Sequence, residues 1–167
     1  IENMKILKKK IEKKNNIKVA TVSGRFFAMD RDNRWERVER AYKAIIEGDA
    51  PQMKDCISSI RKSYDNHITD EFYEPTVFNK YSGVKDGDGF FITNYRADRV
   101  RELLSSIFDE NFNNFSRNIM PKFFEPISMV EYSKRLKKKI RPIFENVEIK
   151  NTLGSAISRN NLKQLRI

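Results

Sequence analysis

Met4, Leu7 and Ile11 fall at i, i+3 and i+7 with lysines filling most positions between them, the spacing of one apolar helix face. The spacing then changes. Lys18-Val-Ala-Thr-Val-Ser-Gly24 is a short run rich in β-branched residues and closed by glycine, which predicts a buried strand in a sheet covered on both faces. Asn33 followed three residues later by Glu36 has capping-box spacing, and Trp35, Val38, Tyr42 and Ile45 mark the inner face of a helix that Gly48 ends. Beyond Pro51, Met53, Ile57, Ile60 and Tyr64 mark the face of another helix.

Residues 65–75 are polar and turn-rich. Asp86-Gly-Asp-Gly89 is a tight-turn signal leading into a second buried strand, Phe90-Phe-Ile-Thr-Asn-Tyr95. A helix is expected from about Asp98, with Val100, Leu103, Leu104 and Ile107 turned inward. No period holds between Glu110 and Pro126, where Phe112, Phe115, Phe123 and Phe124 stand among asparagines and two prolines; these aromatics are read as local packing. Ile127–Tyr132 is expected as a strand, Lys134–Arg141 as an exposed loop or edge, Leu153–Arg159 as a short helix and Leu162–Ile167 as a final strand. Strands alternating with helices predict an α/β fold, a mostly parallel or mixed sheet flanked by helices.

Composition narrows the class. The 167 residues are 39% hydrophobic and 34% charged, and no stretch approaches the roughly 20 apolar residues of a membrane span. One cysteine, Cys56, cannot staple the fold to itself, and one histidine, His67, cannot supply the His/Cys cluster of a common zinc site. A reducing, cytoplasmic compartment is therefore expected. Cys56 lies on the apolar side of its helix and reads as a small buried hydrophobe. The net charge of +10 is concentrated: residues 1–18 hold seven lysines against two glutamates, Lys134–Arg141 holds six bases and no acid, and the remaining chain is near neutral. Such runs read as solvated surface, with a basic nucleic-acid-binding module as the competing reading.

Two places share one design. Ser23-Gly-Arg25-Phe-Phe-Ala-Met-Asp30-Arg31-Asp32 follows the first strand, Asn94-Tyr-Arg96-Ala-Asp98-Arg99 follows the second, and each runs into a helix. In open α/β sheets ligands bind beyond the carboxyl ends of strands, where the next helix presents free N–H groups. Arg25, Arg31, Arg96 and Arg99 would gather there, and the planar guanidinium fork suits a carboxylate or phosphate. Either these arginines hold a small polyanion, or Asp30, Asp32 and Asp98 neutralise them locally in a non-catalytic scaffold. Phe26 and Phe27 are read as core residues.

The stretch Val19–Tyr42 resembles the signature of cofactor-independent (2,3-bisphosphoglycerate-independent) phosphoglycerate mutases. So do Thr69-Asp-Glu-Phe72 with Glu74-Pro75, Asp86-Gly-Asp88 with Asn94–Arg99, and Asn151-Thr-Leu-Gly154 with Leu162–Ile167, four blocks in the family's order. The resemblance implies an isomerase of two domains, a phosphatase-like domain and an inserted transferase domain, that interconverts 3-phosphoglycerate and 2-phosphoglycerate in glycolysis and gluconeogenesis. It further implies a phosphoserine intermediate and two manganese ions, both on the phosphatase-like domain. Matched residue by residue, Arg25, Arg31, Arg96 and Arg99 become substrate-binding arginines, while no catalytic residue and no metal ligand falls in this chain.

On this reading residues 1–146 are most of the transferase domain, incomplete at its N-terminal side, and residues 147–167 a linker returning to the phosphatase-like domain. A chain beginning with Ile is then an internal piece of a parent roughly three times as long, inactive by itself, with the phosphatase-like domain as its partner and neither nucleic acid nor membrane. Three positions depart from the family pattern: His67 and Asn161 where glycine is usual, and Ser155 where glutamate is usual. His67 is expected to be a turn residue at positive φ.

Overall fold

The computed structural model describes residues 1–14, 16–145 and 149–165. Its elements run α1 (Glu2–Ile11), β1 (Thr21–Val22), α2 (Arg25–Ala28), α3 (Trp35–Tyr42), β2 (Gln52–Met53), α4 (Cys56–Asp65), β3 (Thr76–Phe78), β4 (Gly89–Ile92), α5 (Arg101–Phe108), β5 (Phe124–Val130), α6 (Lys134–Lys137), β6 (Arg141–Phe144) and α7 (Leu153–Arg159). The strands form two small sheets instead of one. In the first, order β1-β3-β2, β3 is antiparallel to β1 and parallel to β2; in the second, order β4-β5-β6, every pair is parallel. The fold is α/β with mixed and parallel sheets flanked by helices, as the alternation of elements predicts.

The strongest helical patterns fold as read. In α3 Val38 and Tyr42 are fully buried, and a π-helical turn over Lys43–Glu47 carries the helix to Gly48, whose φ of 68° ends it in the left-handed region. In α5 Leu104 and Ile107 are buried and Leu103 partly so, and Val100, at the N-cap position, is buried with them. Val100 and Leu104 join Tyr132, Leu136 and Ile140 in one core, while Ile107 joins Tyr42 and Ile46 in another. The aromatics of residues 110–126 pack between elements: Phe112 meets Trp35 at 5.3 Å, Phe115 meets Tyr42 at 5.5 Å, and Phe123 meets Phe90 at 5.1 Å. His67 has a φ of 60° and closes the turn after α4, and Cys56 is buried, with burial pushing its thiol pKa up. Of the two phenylalanines expected in the core, Phe27 is buried and Phe26 only half-buried.

Several expectations fail for identifiable reasons. The capping box does not form: Asn33 is left-handed at φ 59°, Arg34 occupies the N-cap position, and the side chain of Asp30 accepts the N–H groups of Asp32 and Arg34 instead. Met53 belongs to β2, and the following helix starts only at Cys56, where Asp55 accepts the Ser58 N–H as its cap. Leu7 points outward while Met4 and Ile11 are half-buried, because α1 rests on α4 through Lys8 and Asp55. The run 18–24 contributes only two strand residues, both half-buried, and β4 alternates, with Phe91 56% exposed. Neither is covered on both faces.

The helix expected from Asp98 begins at Arg101, and the strand expected at Ile127 begins at Phe124. The short elements α2, β3, α6 and β6 leave no readable pattern in the sequence. β3, Thr76–Phe78, is fully buried yet only three residues long. The basic run 134–141 is no loop: its first residues form α6 around the buried Leu136, and Arg141 opens β6, an edge strand that tolerates Pro142 because an edge position need not donate. Residues 162–165 form no strand, and the rest of that expected element, 166 and 167, lies outside the described residues.

Asp55 both caps α4 and accepts a 2.6 Å bond from Lys8 Nζ. The Lys8 ammonium and the Ser58 N–H bring its carboxyl from the ordinary 3.8 down to about 2. The stabilisation this represents is present above the unfolded pKa and is lost as pH falls toward about 2. Asp55→Ala is expected to cost about 1 kcal/mol through the lost cap, with the cost shrinking as acid protonates the wild-type carboxyl; denaturant unfolding against pH measures it. The Tyr42 hydroxyl donates to the carbonyl of Ile119, and burial raises its pKa to about 12. Tyr42→Phe, which leaves that carbonyl without its donor, is expected to lower stability by about 1 kcal/mol and to speed amide exchange around Ile119.

Candidate functional site

The two arginine-bearing loops meet. Arg31 Nη1 donates to Asp98 Oδ2 at 2.8 Å, and Arg99 Nη1 donates to the carbonyl of Met29 at 3.1 Å, contacts that join residues 67 and 70 apart in the chain. Each loop is held by its own helix. The first passes from β1 through α2 into α3, and the second lies between β4 and α5. Since α3 packs on α5, the segments preceding these two helices are brought side by side.

A third segment joins them. Gly24 donates its N–H to the Tyr73 carbonyl at 2.7 Å, and its backbone lies so close to residues 70–73 that an added Cβ would sit 2.3 Å from the Glu71 carbonyl oxygen. Only glycine fits there. This close approach sets Glu71 opposite Arg25, whose Nη2 donates to Glu71 Oε2 at 2.7 Å.

Between these segments opens a polar cleft of about 320 Å³, lined by Arg25, Arg31, Arg34, Arg37 and Arg99, by Asp30, Asp32 and Glu71, and by Phe26, Met29 and Phe72. Five guanidinium-bearing residues face three carboxylates. The Arg37 guanidinium lies 3.7 Å from the centroid of the Phe26 ring and Phe26 packs on Phe72, so the apolar part of the lining orients an arginine instead of excluding charge.

Of the four arginines singled out from the sequence, Arg25, Arg31 and Arg99 line the cleft and Arg96 does not. Arg96 is attached at the rim: its Nε and Nη2 donate to Asp98 at 2.8 and 3.2 Å, so Asp98 accepts Arg96 and Arg31 together. The two guanidiniums hold the Asp98 carboxyl far below the ordinary carboxylate range. Arg34 and Arg37 were missed, although the run Arg31-Asp-Asn-Arg34 showed the charge. What it could not show is that Asp30, 3% exposed at its side chain, lies within 3.7 Å of Arg34 Nη1 and 3.5 Å of Arg37 Nη1. Glu71 lies in the family-like block Thr69-Asp-Glu-Phe72. Its place here depends on the Gly24 contact, which no spacing reveals.

The helix starts are not left open for a ligand in the way the sequence suggested. Asp30 already accepts two N–H groups at the entry to α3, and Glu102 Oε1 accepts the Asn33 N–H at 3.0 Å. Capacity for an anion therefore rests on the guanidiniums, each of which keeps donors beyond its protein partner.

Among the described residues, half of the bases in the second basic run form ion pairs: Arg135 with Asp109, Lys137 with Glu131 and Glu145, and Lys139 with Glu110. Among the described residues no three His, Cys, Asp or Glu side chains are grouped so as to hold a metal ion. No helix among them is long and apolar enough to cross a membrane.

Comparison with known proteins places the chain in a family. The chain is 44% identical over 149 residues, 89% of its length, to a 2,3-bisphosphoglycerate-independent phosphoglycerate mutase of Agrobacterium fabrum, and 40% identical over 162 residues, 97% of its length, to one of Rhodopseudomonas palustris. It spans 29% and 32% of those two relatives. A crystal structure of Leishmania mexicana phosphoglycerate mutase at low cobalt concentration superposes with a TM-score of 0.77 at 26% identity, over 96% of this chain and 31% of that one. The family described as the BPG-independent PGAM N-terminus matches residues 1–134, most of the sequence, and the chain belongs to that family.

Proposed function

We propose that this chain is the substrate-clamping part of an isomerase that interconverts 3-phosphoglycerate and 2-phosphoglycerate in glycolysis and gluconeogenesis. The observation that carries the proposal is the meeting of the two arginine loops around one cleft, Arg31 against Asp98 and Arg99 against Met29. Phosphoglycerate is small and carries a phosphate and a carboxylate, and forked donors on both sides of a cleft can hold the two groups at once.

Arg25, Arg31 and Arg99 would contact the anion, and Arg96 would reach it from the rim. A bound anion would compete with Asp98 and Glu71 for the same guanidiniums. The carboxylates thus keep the arginines gathered before substrate arrives and yield part of their bonds when it does. Holding a reacting molecule in a fixed orientation is a catalytic contribution in itself, separate from breaking the phosphate ester.

The transfer of phosphate through a phosphoserine, with two manganese ions, belongs in this reading to a phosphatase-like domain outside the chain. The described residues provide no metal-ligand set. Residues 1–146 act as the transferase domain and residues 147–167 as the return toward its partner. The isolated chain is expected to bind phosphoglycerate without turning it over.

Calorimetric titration with 3-phosphoglycerate is expected to show binding that Arg31→Ala and Arg99→Ala each weaken about tenfold or more, the loss of a charge-assisted bond. Binding to single- or double-stranded DNA should not respond to these substitutions. No phosphoglycerate binding, or binding indifferent to both, would refute the clamp. Asp98→Asn removes the acid between Arg31 and Arg96 and is expected to lower the melting temperature at low salt. Phosphate should recover more of that loss than chloride at equal ionic strength, which a thermal-shift series resolves.

A further inference from the structure

Two buried acids lie at the floor of the cleft, Asp30 in its lining and Glu102 outside it. Asp30 is 6% exposed and Glu102 9% exposed. They belong to the two elements whose meeting builds the site: Asp30 opens the loop that carries Arg31 and Arg34, and Glu102 lies in the first turn of α5, directly after Arg96 and Arg99. Asp30 Oδ1 accepts the N–H groups of Asp32 and Arg34 at 2.9 and 3.1 Å, and Glu102 Oε1 accepts the N–H of Asn33 at 3.0 Å. Three consecutive backbone donors of one loop therefore end on this pair. Glu102 Oε2 is buried and, among the described residues, meets no donor. The carboxyls of Asp30 and Glu102 thus converge on adjacent N–H groups of one loop, where two ionised carboxylates, one of them with a buried oxygen that has no donor, would repel each other.

We propose that Asp30 and Glu102 share one proton and act as a positioning pair, locking the Arg31 loop to the start of α5 and making the anion affinity of the cleft depend on pH. The inference rests on the clamp reading given above and adds to it the device that aligns the clamp. The groups facing the pair set where the proton resides. Asp30 faces Arg34 on its own loop and Arg37 on α3, and its two backbone donors outweigh the burial that would otherwise raise its pKa. Glu102 faces Asp30 and Asp32 on the loop, and burial together with these acids pushes its pKa up. The proton therefore resides on Glu102, donated to Asp30.

While it stays, the pair carries one negative charge and every inward oxygen has a partner. Loss of the proton puts two carboxylates in contact without a donor between them and adds negative charge behind a site for anions. Anion affinity is thus highest below the raised Glu102 pKa and falls as pH rises through it.

Two measurements on the 167-residue chain decide the matter. Carbon-13 NMR of the carboxyl groups against pH should show Glu102 titrating above the ordinary glutamate range and linked to Asp30. Titration calorimetry with 3-phosphoglycerate, over the same pH range, should compare wild type, Glu102→Gln and Glu102→Ala. The glutamine amide can donate to Asp30 while its carbonyl accepts from Asn33, so Glu102→Gln should match wild type at low pH and lack the decline at higher pH. Comparing the two proteins cancels the ligand's own ionisation. Glu102→Ala should bind about tenfold more weakly, since Asn33 loses its acceptor and Asp30 its proton.

A Glu102 that titrates as an ordinary isolated carboxylate would overturn the pair, as would a decline in affinity that persists in Glu102→Gln. The glutamine variant keeps the comparison available even if the alanine variant fails to fold. Absence of phosphoglycerate binding in the wild type would instead overturn the clamp and the pH-linked affinity together, while a linked carboxyl titration would still support the shared proton.

Discussion

Like charges do not gather without something to hold them, and the cleft of this protein depends on that constraint. Arg25, Arg31, Arg34, Arg37 and Arg99 surround one opening, and each cation brought there repels the others. Carboxylates placed at the boundaries between segments offset the repulsion. Asp98 accepts Arg31 from one loop and Arg96 from the other, Glu71 accepts Arg25 across a third segment, and Asp30 faces Arg34 and Arg37 from beneath. The acids are fewer than the guanidiniums, so the cleft keeps a positive balance and spare donors. The site is assembled and still attractive to an anion.

The rest of the fold serves that convergence. Packing of α3 on α5 sets the two loops side by side, and the buried residues of those helices, Val38 and Tyr42 with Leu104 and Ile107, fix the approach. The aromatic stretch over residues 110–126 fills the space around α3, through Phe112 on Trp35 and Phe115 on Tyr42. A segment with no readable period thus stiffens the support of the site from behind. The Gly24 contact does the same from the other side, by admitting the backbone of residues 70–73 where no side chain would fit.

The chain belongs to the 2,3-bisphosphoglycerate-independent phosphoglycerate mutase family, and its cleft gathers guanidiniums, whose planar fork suits a phosphate or a carboxylate. The scaffold reading, in which local acids neutralise the arginines, describes a real part of the geometry, since Arg25, Arg31 and Arg96 each bond to a carboxylate. What distinguishes a clamp from a scaffold is that two of these bonds, Arg25 to Glu71 and Arg31 to Asp98, run between segments and leave those guanidiniums around a shared opening, while the Arg96 bond stays within its own loop.

The sequence by itself determined the elements with long apolar periods, α3 and α5, and the family through its four blocks. It also determined the residue types of the site, because arginines beside acids at the entries to helices are visible without coordinates. It misled where elements are short or where contacts cross the chain. β3 has three residues and β1 two, too few to show alternation, and the lysines of run 134–141 masked the one buried leucine that makes α6 a helix. Only the tertiary structure decided that Glu71 reaches Arg25 and that Asp98 accepts Arg31 from the other loop. The physical reason is separation: apolar period and turn chemistry are written in neighbouring residues, whereas the bonds that assemble this cleft join residues 46 to 70 apart, and their partners are chosen by how α3 and α5 pack.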